Sequence, residues 1–105
     1  MSLEEPELRC EEIDRVPVVC VEKNIADQLP KFIELLNETG LLKEVIGAVL
    51  YSDNHMVLTS FEYNEQTLSI INKLGKIKRI EGYDGLPYAI DMEIELNNET
   101  IQRLE

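Results

Sequence analysis

The sequence predicts an α+β fold, a two-layer sandwich with an antiparallel sheet under two main helices. Three observations predict it: short β-rich runs with period-two patterning, two amphipathic stretches with helical period between them, and a length of 105 residues that suits one domain. Twenty-one acidic against ten basic residues give a net charge of −11, and 44% of residues are hydrophobic. That balance favours solubility and opposes approach to phosphate backbones or anionic lipid, so neither nucleic acid nor membrane is an expected partner. Apolar runs stay well short of the roughly 20 residues a membrane helix needs. The opening Met-Ser-Leu-Glu-Glu lacks the basic and apolar regions of a secretory signal, which predicts a cytoplasmic protein.

Residues 1–14 carry Glu4, Glu5, Glu7, Glu11, Glu12 and Asp14 against one arginine, with few apolar anchors. They read as an acidic, partly mobile or loosely docked lead-in, and residues 15–105 as the domain. VPVVCVE, Val16 to Glu22, is apolar on both alternating faces, which marks an interior strand covered on both sides. Proline is tolerated near its start. The next stretch changes period: Ile25, Leu29, Phe32, Ile33 and Leu36 fall at helical spacing, with Lys31, Glu34 and Glu38 opposite. Asp27 as N-cap would put Pro30 in the first turn, where no N–H is required, and Thr39-Gly40 would end the helix through a left-handed residue. LLKEV then either adds a short helical turn or wraps over the core.

GAVLYSDNHMVLTSFEY predicts a hairpin, because Asp53 and Asn54 tolerate the positive φ of a two-residue type I′ turn. Such a turn would set Tyr51 opposite Met56 and Val49 opposite Leu58 on one face, with Leu50 opposite Val57 and Ala48 opposite Thr59 on the other. Asn64 begins a second helix with Leu68, Ile71 and Leu74 inward and Gly75 as its stop. KIKRIEGYDGLP is an irregular connection with room for a short strand at Ile77 to Ile80. In YAIDMEIEL, Ala89, Asp91, Glu93 and Glu95 alternate with apolar residues, and Asn97 or Asn98 caps a short C-terminal helix packed through Ile101 and Leu104.

Strand, helix, hairpin, helix, strand is the βαββαβ order of a ferredoxin-like sandwich, whose right-handed crossovers would give the spatial order 4-1-3-2. The last strand would then be an edge with one apolar and one acidic face. Its acids, about 6.6 Å apart per step, are too far apart to share a metal without residues from elsewhere, and read as a solvated face. The sheet face away from the helices is also apolar, with Val49, Tyr51, Met56 and Leu58 as the predicted interface. A second copy of the chain related by two-fold symmetry would cover it; the lead-in or the C-terminal helix folding across it is the alternative.

Catalytic signatures are missing from the sequence: no Walker loop, GxGxxG, HExxH, GxSxG or EF-hand spacing occurs, and no catalytic residue, metal site or cofactor is predicted. His55, the lone histidine, reads as an exposed turn residue. Gly82-Tyr83-Asp84-Gly85 has the spacing of an RNA-binding GxxG loop, but a strand follows and Asp84 adds negative charge, so it reads as a turn. Nine residues separate Cys10 from Cys20, which fits neither a CxxC pair nor a zinc knuckle. Cys20 reads as a buried apolar thiol and Cys10 as exposed; either could oxidise. Lys73, Lys76, Lys78 and Arg79 gather just after the second helix, where they complement its C-terminus or form an anion site.

TGLLKEVIGAVLYSDNHMVLTSF, Thr39 to Phe61, resembles the helix-to-hairpin passage of the roadblock/LC7 family of small dimerising modules. That resemblance implies an alternative roadblock/LC7-like or profilin-like α/β sandwich. Two functions are carried forward. One is a non-enzymatic homodimeric binding or regulatory module, with a protein partner as a further possibility. The other is a small metabolite-sensing domain or enzyme with an anion site at the dimer seam.

Overall fold

The computed structural model describes residues 7–13, 17–61, 64–82 and 89–105. They form an α+β fold in which a six-stranded mixed sheet carries three α-helices on one face. The strands are β1 (Leu8–Glu12), β2 (Val18–Glu22), β3 (Gly47–Leu50), β4 (His55–Ser60), β5 (Gly75–Gly82) and β6 (Ile90–Leu96). The helices are α1 (Leu29–Thr39), α2 (Glu65–Leu74) and α3 (Asn98–Leu104).

Strand order is β1-β2-β3-β4-β6-β5. This differs from the 4-1-3-2 arrangement expected of a ferredoxin-like sheet. The strand of VPVVCVE, β2, pairs in parallel with β3 directly, so the α1 crossover leaves no gap for another strand, and the sheet is mixed rather than antiparallel. YAIDMEIEL, expected at an edge, supplies an interior strand: β6 pairs with β4 on one side and β5 on the other. The stretch expected as an irregular connection, with at most a short strand, is β5, an eight-residue edge strand with a register shift between Ile77 and Arg79. At the opposite edge, Leu8–Glu12 of the expected lead-in forms β1, antiparallel to β2. The expected GxxG turn lies mostly outside the described residues, which include only its Gly82.

One side of the sheet holds the core. Val19 and Val21, Ala48 and Leu50, Met56 and Leu58, and Met92 and Ile94 alternate inward along their strands and meet Phe32, Leu35 and Leu36 of α1, Ile71 and Leu74 of α2 and Leu104 of α3. Burying a side chain such as Phe32 contributes about 1.5–3 kcal/mol. Leu41 and Val45 are buried too, so LLKEV does both things the sequence left open: Leu41–Lys43 is a 3-10 turn, and its apolar side chains close over the core.

The ends of the helices follow their sequence signals with two exceptions. Gly40 ends α1 at φ 86°, the left-handed conformation expected there. Asn64 Oδ1 accepts from Thr67 N–H at 2.9 Å, and Asn97 Oδ1 accepts from Thr100 N–H at 2.9 Å, so each asparagine caps the helix it precedes. Asp27 is not a cap; it lies in a 3-10 segment, Lys23–Gln28, that runs into α1, and Pro30 still falls in the first turn. Gly75 does not end α2 through a left-handed residue: its φ is 175°, and glycine is needed there because the backbone of β6 at Glu95 and Leu96 approaches closely.

The β3–β4 turn corrects a register. Tyr51 N–H donates to His55 C=O at 2.9 Å, which leaves a three-residue loop, Ser52 to Asn54, with Asn54 at φ 67°. Leu50 therefore faces Met56, and Val49 faces Val57. Because side chains alternate with period two, this slip of one residue moves every β4 side chain to the face opposite the one expected.

Candidate functional site

All three helices pack into the single core cluster, so the second face of the sheet carries no helix among the described residues. Side chains cross it in rows set by the pairing. Its middle row runs Cys10, Cys20, Val49, Val57, Glu93, Arg79 from edge to edge. A flanking row runs Glu12, Val18, Gly47, Thr59, Asp91, Glu81. The face is thus apolar along its middle row over β1 to β4, flanked by Glu12, Glu22, Thr59 and His55, and charged over β6 and β5. Val18 at 40% and Leu8 at 43% are among the most exposed large hydrophobic residues described.

Of the predicted interface residues, Val49 and Tyr51 stand on this face, both half-buried. Met56 and Leu58 do not: both are fully buried in the core beneath the helices. The register slip is the cause, and Val57 and Val18 take their places. The acids of β6 do lie on the open face, as predicted, although the strand is interior. Ala89 is the exception in that set, being buried.

Tyr51 and His55 stack at the turn end of this face, with ring centroids 4.8 Å apart. The imidazole Nδ1 pairs with Asp53, while Nε2 lies 3.8 Å from Glu93. A shallow hollow of about 270 Å³ beside the stack is lined by Tyr51, Val57, Arg79, Glu81, Asp91 and Glu93. Burial first, and then the charges of Glu22, Asp91, Asp53 and Glu93, push the Tyr51 hydroxyl above its ordinary value of 10.0. It is therefore a neutral phenol at physiological pH. Neighbouring hydroxyls serve structure: Ser52 donates to Glu22, Thr59 to Asp91 and Ser60 to the Glu44 carbonyl. None of those bonds pairs a hydroxyl with His55, the arrangement an activated nucleophile would require.

The basic cluster is divided. Lys73 lies in the last turn of α2, and its carbonyl accepts from Asn97 Nδ2. Lys76 and Lys78 line a depression of about 520 Å³ with Asn72, Gly75, Glu95, Leu96 and Asn97. Lys78 pairs with Glu95 at 3.2 Å, and Arg79, in the other hollow, pairs with Glu81 at 2.6 Å. Carboxylates therefore partner two of the four predicted anion-binding cations. Among the described residues, no group of three or more histidine, cysteine or acidic side chains is placed to hold a metal ion.

Cys10 and Cys20 are joined in a disulfide across the β1–β2 pair. Their expected exposures hold, with Cys20 buried and Cys10 exposed, but the bond between them was not read from the sequence. Its signal lay in treating residues 7–13 as a strand folded back on 17–23, which sets the two cysteines directly opposite. Disulfides persist in oxidising compartments, whereas the cytoplasm expected from the sequence keeps thiols reduced. No described helix is long and apolar enough to cross a membrane. Comparison with protein-family models, with curated proteins and with solved structures finds no match.

Proposed function

We propose that the chain is a non-enzymatic binding or regulatory module that works as a homodimer, its copies meeting through the open sheet face. The observation that carries this reading is the row Val49–Val57, with Val18 and Tyr51 beside it, on a face that no described helix covers. Contiguous apolar surface of this kind favours association. Both intramolecular covers weighed from the sequence fall away over the described residues. The C-terminal helix α3 packs on the other side, with Leu104 in the core and Arg103 paired to Glu38, and residues 8–12 extend the sheet edge rather than crossing the face. A two-fold axis through this face would set one copy's apolar row against the other's.

Sedimentation equilibrium tests the proposal. A mass of twice 12.1 kDa supports it, and a single-chain mass at every concentration discards it. The second reading, a small-anion sensor, draws on the depression that brings Lys76 and Lys78 together with the amides of Asn72 and Asn97. A thermal-shift screen against phosphates and carboxylates separates the two readings. A ligand present at a hundred times its Kd adds roughly 2.7 kcal/mol of stability, whereas a module without this site shows no shift.

A further inference from the structure

β1 is attached to the sheet unlike the other strands. All five of its side chains, Leu8 to Glu12, are exposed, and among the residues near it Ile13, beyond its end, packs against the core. The ion pair beside it, Lys23 with Glu7 at 3.0 Å, is exposed on both partners and holds little. What remains is the backbone ladder and the Cys10–Cys20 bond.

The ladder's phase follows from two hydrogen bonds. Lys23 N–H donates to Glu7 C=O at 2.8 Å, and Ile13 N–H donates to Pro17 C=O at 2.9 Å. Bonded and non-bonded pairs alternate in an antiparallel ladder, so Arg9 with Val21 and Glu11 with Val19 are bonded pairs. Cys10 with Cys20 is then a non-bonded pair, where side chains approach most closely; the two Cα atoms are 4.0 Å apart. Val18 N–H donates the other way, to Ile46 C=O at 3.2 Å. By the same alternation the amides of Val18 and Cys20 point to β3, and those of Val19 and Val21 point to β1.

We propose that the Cys10–Cys20 disulfide is a redox latch: its reduction releases β1 from the sheet edge and leaves the outer edge of β2 unpaired, while β2 to β6 stay closed. The reductant is a thiol or dithiol. Its thiolate attacks the exposed Cys10 sulfur, the S–S bond breaks, and Cys20 leaves as a thiolate that takes a proton from water. A second thiol equivalent attacks the mixed disulfide and releases Cys10 as a thiol; the two reductant thiols, having given up two electrons to the protein, leave as a new disulfide. Core burial does not hold β1, and the opened edge bears Val19 and Val21, whose side chains remain anchored in the core. This inference does not rest on the dimer reading.

Amide hydrogen exchange, read residue by residue on the full chain with and without dithiothreitol, tests the latch. Reduction should speed exchange at Arg9, Glu11, Val19 and Val21 by about tenfold or more, and leave Val18, Cys20 and the β3, β4 and β6 amides within about threefold. A Cys10→Ser variant should show the reduced pattern without any reductant. Three results would overturn the proposal: unchanged protection at those four amides in reduced or Cys10→Ser protein, simultaneous loss at Val18 and Cys20, or two free thiols in air-oxidised protein.

Discussion

Gly75 sits so close to β6 that a β-carbon placed on it would fall 2.1 Å from the Glu95 carbonyl oxygen. α2 ends at Leu74 and β5 begins at Gly75 with no intervening residue, so the chain turns against its neighbour at a point where no side chain fits. Gly75→Ala should therefore destabilise the fold by about 3 kcal/mol, since backbone rather than a flexible side chain must give way. Urea denaturation measures this, and an unchanged midpoint would show that the approach is looser.

Asn97 serves two helix ends together. Its Oδ1 caps α3, its Nδ2 donates to the Lys73 carbonyl at 2.9 Å, and its N–H donates to the Leu74 carbonyl at 2.9 Å. Asn97 Oδ1 also accepts from the Thr100 hydroxyl at 2.8 Å, so Asn97→Ala removes three side-chain bonds and should cost about 2 kcal/mol. Asn97→Asp keeps the α3 cap but sets a carboxylate against the negative end of α2, so it should lose about 1 kcal/mol although aspartate is as good an N-cap as asparagine. Equal stability of Asn97→Asp and wild type in urea would show that the Lys73 bond contributes nothing.

Tyr51 makes stability depend on alkaline pH. Burial, then the charges of Glu22, Asp91, Asp53 and Glu93, raise its folded pKa above 10.0, so the unfolded chain loses the phenolic proton first. The contribution is intact below the unfolded value and is lost as pH rises through the folded one. Wild type should therefore lose more stability than Tyr51→Phe between about pH 9 and about pH 11, with the gap narrowing in high salt as the carboxylates are screened. Parallel curves for the two proteins would contradict the assignment.

What the sequence disclosed depended on whether a local signal had one physical solution. Gly40, Asn64 and Asn97 mark helix ends by chemistry that works in few other ways, and each does what its type predicts. Asp53-Asn54 was ambiguous: Asn54 can take a positive φ in a two-residue or a three-residue loop, and the choice decides which face β4 turns to the core. Met56 and Leu58 were accordingly assigned to the wrong surface. The residue pattern predicts no strand at β1 and only room for a short one, Ile77 to Ile80, within β5, for a different reason. As edge strands with mostly exposed side chains they carry little apolar alternation, and without β5 as a pairing neighbour the acidic face of β6 reads as an edge. That a second sheet face would carry apolar side chains follows from the two-sided alternation of β2 and β3. Which face the helices cover does not, because both faces of those strands are apolar; the packing places Val49, Tyr51 and the acids of β6 on the helix-free one.

Sedimentation equilibrium of wild type beside Val57→Lys tests the central claim most directly. Val57 is central on the open face and half-buried, and the acidic hollow it lines would accommodate a lysine in the isolated chain. Chains of net charge −11 repel one another, so wild type should sediment at twice 12.1 kDa with a Kd that tightens as salt is added, and Val57→Lys at the single-chain mass while keeping its fold. Wild type that stays monomeric in high salt, or a Val57→Lys protein that dimerises as tightly as wild type, would contradict the assignment of this face.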